Sequence, residues 1–275
     1  MTAPRSALAR RLAVGVPGLA AALAAAATAW QVWRLRAALH GARTIAARTE
    51  AFGCRPDGAH RRVLVLGDST AFGVGAETAE ASLAGRLAQA YPQVELVNAA
   101  VSGARVADAL DQARARVAAG ESFDLVLLCV GGNDVFRMTP RRELKARTRE
   151  LLQRMQTLAP RRVWLGSADI GSAPVFVGPF AWWLGQRTQA TAALFAREAR
   201  RHGVLFLDFA DAALAPALGD ATGAWFAADG VHPSARSYAH CFEVLERRAA
   251  LAELLAGGVA AGTEGAPPCR PSPRS

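Results

Sequence analysis

Between residue 62 and the C-terminal part of the chain, five short apolar runs alternate with stretches of helical periodicity. The apolar runs are 63–66, 94–97, 125–130, 163–165 and 204–207. The helical stretches are 79–90, 105–119, 141–158, 187–202 and 234–255. Runs that are almost continuously apolar are typical of strands covered on both faces, and helices between such strands connect them in parallel by right-handed crossovers. The pattern predicts a three-layer α/β/α domain over 62–256, built on a five-stranded parallel sheet.

Composition narrows the possible partners. Hydrophobic residues make up 52% of the chain, which is enough for a sizeable core, whereas the Pro- and Gly-rich tail, 257–275, is predicted to be disordered. The formal net charge is +9, but no aromatic-basic module accompanies the cations, which argues against a nucleic acid partner. The four cysteines form no C-x-x-C pair and no metal-ligand spacing, so the sequence predicts neither a metal site nor a dithiol redox centre.

The N-terminal fifth of the chain carries basic residues on either side of an uncharged segment. A basic stretch, 1–11, precedes the uncharged segment 12–33, and a basic stem or linker, 34–61, follows it. About 20 apolar residues span a bilayer as a helix, so 12–33 is predicted to be a membrane anchor. A signal peptide cleaved near Thr28, a soluble alanine-rich helix and an organelle transit peptide are the alternatives. An anchor would place the globular domain outside the cytoplasm, on the periplasmic side, whereas cleavage would give a secreted protein.

A serine follows the first predicted strand. The sequence Gly67-Asp68-Ser69 comes directly after this strand, and Ala71 stands where the G-x-S-x-G elbow of α/β-hydrolases has its last glycine. A hydroxyl at the carboxyl end of a parallel strand lies at the edge where active sites form, and it can attack a carbonyl group. Alone, such a turn is more often a helix N-cap than a nucleophile.

Two further turns are predicted at the same edge of the sheet. Gly103 follows the second strand, and Asn133 follows the third. A glycine lets a backbone N–H approach an oxyanion closely, and an asparagine amide donates to the same charge. Taken singly, each residue also fits a plain structural role, a turn for Gly103 and a helix cap for Asn133.

The loop before the final helix contains an aspartate and a histidine three residues apart, Asp229 and His232. Asp229 can bond one ring nitrogen of His232 and stabilise the imidazolium form, while the loop directs the ring towards Ser69. The other histidines have no such context and are predicted to be structural: His40, His60, His202 and His240.

Together these blocks resemble those of the SGNH/GDSL hydrolase family in order and in strand position. The matching residues are Gly67-Asp68-Ser69, Gly103, Gly132-Asn133-Asp134, Asp229 and His232, and the resemblance covers 62–250. It implies a flavodoxin-like sheet in the order 2-1-3-4-5 and a hydrolase that needs no metal or organic cofactor. It also implies that Ser69 is the nucleophile, that His232 is its base, and that Asp229 orients His232. The implied oxyanion hole consists of the Ser69 N–H, the Gly103 N–H and the Asn133 side chain.

An apolar segment, 172–185, follows the fourth predicted strand and is expected to overhang the active-site edge. It contains Phe176, Phe180, Trp182 and Trp183. We expect these side chains to bind an acyl chain or to form a lid that touches the membrane, with simple packing under the loop as the alternative. The sequence therefore favours a lipase-like serine esterase that acts on small or lipid acyl esters through an acyl-enzyme. An acetylesterase or O-acyltransferase of cell-envelope carbohydrate, and a non-catalytic binding protein on the same fold, are the alternatives.

Overall fold

Five parallel strands form one sheet in the order β2-β1-β3-β4-β5, which confirms the predicted fold class and strand order. The strands are β1 (Arg61–Gly67), β2 (Val94–Asn98), β3 (Leu125–Cys129), β4 (Arg161–Leu165) and β5 (Leu205–Leu207). The molecule is a computed structural model that describes residues 5–215 and 223–255, with side chains from residue 18 onward except at 20. The predicted tail, 257–275, and the first four residues lie outside the described chain.

Helices cover both faces of the sheet. They are α1 (Arg5–Arg48), α2 (Ser69–Phe72), α3 (Leu83–Ala90), α4 (Val106–Ala118), α5 (Gly132–Phe136), α6 (Arg141–Leu158), α7 (Gly178–Arg201), α8 (Ala235–Ala249) and α9 (Leu251–Leu255). Alternate residues of β1 point to opposite sides, so Val65 packs with α3 and α8 while Leu64 packs with α4 and α6. The two resulting hydrophobic cores give the three layers that the sequence predicts.

Three predicted helices differ from the observed ones. The predicted helix 79–90 is a 3-10 turn, Ala79–Ala81, followed by α3, because Ser82 caps α3. Helix α7 begins at Gly178 rather than at 187, because Pro179 stands in the first turn, where its fixed φ and missing N–H are tolerated. The apolar segment 172–185 is therefore a loop followed by two helical turns. The predicted helix 234–255 is broken at Ala250, which has a φ of 49° and separates α8 from α9.

Helix α1 runs without interruption through the predicted membrane segment and into the predicted stem. The stem does not behave as a free linker, because Phe52 and Cys54 are buried in the core and Cys54 forms a backbone bridge to Leu96. None of the helices, over the residues whose side chains are described, is both long and apolar enough to cross a membrane. The first part of the predicted anchor 12–33, up to residue 17, falls outside those residues.

Candidate active site

Ser69 lies at the carboxyl end of β1, which is flanked by β2 and β3. The preceding turn needs glycine at position 67, because φ there is 138° and a Cβ would collide with the Cys129 carbonyl oxygen. The side chain of Gln112 fixes the same turn, donating to the Gly67 carbonyl at 2.9 Å and accepting from the Gly67 N–H at 2.8 Å. The strand end therefore holds the serine on a rigid turn.

The hydroxyl of Ser69 is not used in capping the helix that it begins. The N-cap of α2 is Asp68, whose carboxylate accepts the Thr70 N–H at 2.9 Å. In the described part of the chain, the Ser69 hydroxyl has no hydrogen-bond partner, although the residue is only 9% exposed. Helix capping, the structural alternative for this turn, explains Asp68 and leaves the serine hydroxyl available for chemistry.

Asp229 and His232 form a pre-oriented pair. One carboxylate oxygen of Asp229, Oδ2, lies 2.6 Å from Nδ1 of His232. The other, Oδ1, accepts the N–H groups of Val231 and His232, both at 2.9 Å. Burial alone would raise the pKa of Asp229, but these hydrogen bonds outweigh burial and hold the pKa below its usual value. An ionised Asp229 fixes the imidazole with its proton on Nδ1 and leaves Nε2 without a partner among the described residues.

The turn after α2 packs against the loop that carries His232. A Cβ on Gly75, where φ is 93°, would collide with the Pro233 carbonyl oxygen and lie 3.0 Å from Cβ of His232. The buried hydroxyl of Tyr238 donates to the Val74 carbonyl at 2.8 Å and ties α8 to the same turn. The structure thus brings the serine turn and the histidine loop together, but it does not join the Ser69 hydroxyl to the imidazole by a hydrogen bond.

The turns after β2 and β3 also meet. Nδ2 of Asn133 donates to the Ala104 carbonyl at 3.0 Å, which places the amide beside the Gly103 turn. The buried Asp134 carboxylate also joins the two turns, because it accepts the Val106 N–H at 2.9 Å. Over 5–215 and 223–255, the N–H groups of Ser69 and Gly103 have no acceptor. Two unoccupied backbone donors and the second N–H of the Asn133 amide are therefore available to an incoming oxyanion.

A second carboxyl group is buried beside the serine. Burial raises the pKa of Asp68 to about 7, against the lowering effects of the Thr70 N–H and of the charge on His232. Since the ordinary value is 3.8, the folded chain holds a proton between about pH 4 and 7 that the unfolded chain has lost. Its folding stability therefore falls as the pH rises through this window and stays reduced above it.

We expect the free energy of unfolding of Asp68→Asn at pH 8 to exceed that of the wild type by on the order of a few kcal/mol. The variant should therefore unfold at a higher urea concentration. The amide oxygen still accepts the Thr70 N–H but carries no charge to desolvate. At pH 4 the difference is expected to vanish, because the buried carboxyl is then protonated. Urea titrations of both proteins at pH 4, 6 and 8 measure this dependence, and Asp57→Asn at an exposed position is the control. A difference that is the same at all three pH values would contradict the prediction.

The aromatic side chains of 172–185 divide between core and surface. Phe176 is buried with Val135 and Leu184, as packing under the loop would require. Trp182, in contrast, is 68% exposed. Phe180 links the buried Phe176 to the exposed tryptophans. Its ring centroid lies 5.7 Å from that of Phe176 and 6.0 Å from that of Trp183.

Sequence reasoning did not identify Gln112 or Gly75. Gln112 lies within an ordinary amphipathic helix, and its bonds to Gly67 join residues far apart in the chain. The only local signal for Gly75 is the glycine pair of the turn, Gly73 and Gly75. These contacts depend on tertiary packing, which the pattern of a single segment does not report.

A doubly wound α/β domain with a serine after β1, an amide after β3 and an Asp-His pair before α8 defines an ester-bond hydrolase. The chain belongs to the GDSL-like lipase/acylhydrolase family, whose model matches residues 65–240. The resemblance seen in the sequence is thereby confirmed.

Solved structures share this fold at low sequence identity. The psychrotrophic esterase EstA from Pseudoalteromonas sp. is 18% identical with a TM-score of 0.51, covering 68% of this chain and 96% of EstA. TesA is 21% identical with a TM-score of 0.55, covering 68% of this chain and 97% of TesA. A catalytic mutant of Axe2, an acetylxylan esterase from Geobacillus stearothermophilus, is 21% identical with a TM-score of 0.54, covering 70% and 96%. A search of curated proteins gives no match.

Proposed function

We propose that the protein is a serine carboxylesterase in which Ser69 is the nucleophile, His232 the general base and Asp229 the group that orients His232. The observation that carries the proposal is the 2.6 Å contact between Asp229 Oδ2 and His232 Nδ1. It fixes the tautomer in which Nε2 accepts a proton, on a loop packed against the serine turn. A non-catalytic binding protein has no need for this arrangement.

The proposed reaction uses these groups in turn. As the Ser69 oxygen bonds to the acyl carbon, its proton passes to Nε2 of His232, and the carbonyl oxygen becomes an oxyanion. The oxyanion is stabilised by the N–H groups of Ser69 and Gly103 and by the Asn133 amide, which Ala104 holds in place. His232 then returns the proton to the departing alcohol, leaving an acyl-enzyme. Water, deprotonated by the same imidazole, releases the carboxylic acid and restores the serine.

Exposed aromatic residues at the start of α7 support an apolar acyl group as substrate. Trp182 and Trp183 are 68% and 39% exposed, and the Trp183 ring stacks on Phe180. Phe180 contacts Phe176, which contacts Phe136, three residues after Asn133. The other candidate, an acetylesterase, is suggested by the likeness to an acetylxylan esterase, but that likeness shows the fold alone. An apolar surface favours a longer acyl chain because each buried methylene contributes about 0.8 kcal/mol.

We expect the full chain to hydrolyse 4-nitrophenyl esters with a preference for medium or long acyl groups. Replacing both Trp182 and Trp183 with alanine removes apolar surface and is expected to lower kcat/KM about tenfold for octanoate while leaving acetate unchanged. The measurement is nitrophenolate release across acetate, butyrate, octanoate and palmitate. Leu205→Ala, at another exposed apolar position, is the control. An unchanged chain-length profile would eliminate the acyl-binding role, and no turnover of any ester would favour a transferase.

We further propose that the N-terminal segment holds the enzyme at a membrane, with the catalytic domain on the periplasmic side. The support is the uncharged stretch 12–33 between basic flanks and the exposed Trp30 and Trp33 at its end, residues typical of bilayer interfaces. Retention of the full chain in the membrane fraction after alkaline carbonate extraction is the expected result. Release into the soluble fraction would overturn the anchor and leave the secreted form.

A further inference from the structure

Helix α1 lies across two loops of the candidate active site. One is the loop between β4 and α7, residues 166–177. The other is the acid-base loop, residues 226–233, which carries Asp229 and His232. The family match begins at residue 65, so α1 is an addition to the part of the chain that the family defines.

Two side chains of α1 bond to the first of these loops. Nε2 of Gln31 donates to the Val175 carbonyl at 2.9 Å, and the guanidinium of Arg34 donates to the Pro174 carbonyl at 2.6 Å. Both acceptors are backbone oxygens in a segment without regular structure, and the bonds span more than 130 residues of sequence. They fix the position of α1 along the loop, because a shift of one helical turn would break both.

An apolar cluster joins α1 to both loops at once. Leu35 and Ala38 pack on a cluster whose buried members include Val175, and Val231 of the acid-base loop packs on the same cluster. The two loops also touch each other directly, since a Cβ on Gly230 would lie 3.8 Å from Cβ of Pro174. Displacing α1 would therefore loosen the loop that carries Asp229 and His232.

Gly41 places α1 against Asp229 of the acid-base pair. A Cβ on Gly41 would lie 3.6 Å from Cβ of Asp229 and 4.0 Å from its Cα, which is ordinary van der Waals contact. The next residue, Ala42, is buried. The contacting positions 31, 34, 35, 38 and 41, with the buried position 42, recur at the helical spacing expected of one packed face. There is room for a methyl group at position 41, but a longer side chain would meet Asp229.

We propose that residues 31–42 of α1 hold the acid-base loop in its working position, with Gly41 as the positioning residue at Asp229. The inference rests on the proposed function, because it concerns the geometry of the pair that activates Ser69. Gly41 touches neither the substrate nor the reacting atoms. Its contribution is to let the helix approach closely enough to support Asp229 at its Cα and Cβ atoms.

The test compares three variants of the full chain with 4-nitrophenyl butyrate as substrate. Gly41→Leu is expected to lower kcat about 10- to 100-fold with little change in KM, because small displacements of catalytic groups are that costly. Gly41→Ala is expected to keep wild-type kcat, since its methyl group fits and alanine favours the helix. Ala47→Leu places the same side chain at an exposed position of α1 and is expected to leave kcat unchanged.

Each outcome supports or overturns the proposal. Loss of kcat in Gly41→Leu, with a melting temperature equal to that of Ala47→Leu and with activity kept in Gly41→Ala, supports positioning. Wild-type kcat in Gly41→Leu overturns it. So does equal loss of kcat in Gly41→Leu and Ala47→Leu, because bulk on either face of α1 would then suffice. Failure of the proposed function is distinguishable, since the Ser69→Ala variant would then hydrolyse the ester as fast as the wild type.

Discussion

Replacing Ser69 with alanine is expected to lower kcat for 4-nitrophenyl butyrate by about 10⁴- to 10⁶-fold. The variant keeps the oxyanion donors and the Asp229-His232 pair but has no oxygen to form the acyl-enzyme. Because the Ser69 hydroxyl makes no hydrogen bond in the described structure, its removal leaves no polar group unpaired. The melting temperature is therefore expected to stay close to that of the wild type. Initial rates of nitrophenolate release, with thermal unfolding of the same samples, measure both quantities.

Ser82 provides the matched control for this experiment. It lies in the segment that follows the Ser69 turn, is buried, and caps α3 by accepting the Gly85 N–H at 3.1 Å. Ser82→Ala is expected to lower stability by about 1 kcal/mol and to keep kcat. Ser69→Ala is thus expected to lose activity and keep its stability, whereas Ser82→Ala is expected to lose stability and keep its activity. Activity that survives in Ser69→Ala would contradict the serine mechanism.

The sheet could be predicted from the sequence because its strands are buried on both faces and read as continuous apolar runs. β3 is the clearest case, with all five residues buried. Parallel strands place their carboxyl ends at one edge, so residues following β1, β2 and β3 were expected to meet there. The Asn133 bond to the Ala104 carbonyl shows that two of these turns do meet. The strand topology and the residue types at the strand ends are enough to predict this meeting of turns.

The contacts made by α1 could not be predicted in the same way. The segment 34–61 carries several arginines and few large apolar residues, so its composition indicated a solvated stem. Apart from Leu35, its docking depends on small residues, Ala38, Gly41 and Ala42, which permit close approach but give little hydrophobic signal. Its anchoring bonds are made to backbone oxygens, which every sequence has. Close packing of this kind becomes visible only when the two loops are placed in space.

Replacing Asp229 with asparagine is expected to lower kcat about 10⁴-fold while leaving the loop folded. Oδ1 of Asp229 accepts two backbone N–H groups, from Val231 and His232. An asparagine at this position keeps both bonds only if its oxygen takes the place of Oδ1. Its NH₂ group then faces Nδ1 of His232, where Oδ2 lies in the wild type. A neutral imidazole that accepts at Nδ1 carries its proton on Nε2, so it cannot take the proton of Ser69.

Asp211 provides the control for Asp229→Asn. Asp211 accepts the Ala213 N–H through one carboxylate oxygen at 2.9 Å and lies in another loop, so Asp211→Asn is expected to keep full activity. In Asp229→Asn the loss is expected in kcat rather than in KM, because the tautomer affects proton transfer and not the fit of the ester. The circular dichroism spectrum and melting temperature identify any general loss of structure. A kcat within tenfold of the wild type would show that Asp229 does not set the tautomer of His232, and the base would then have to be oriented by another group.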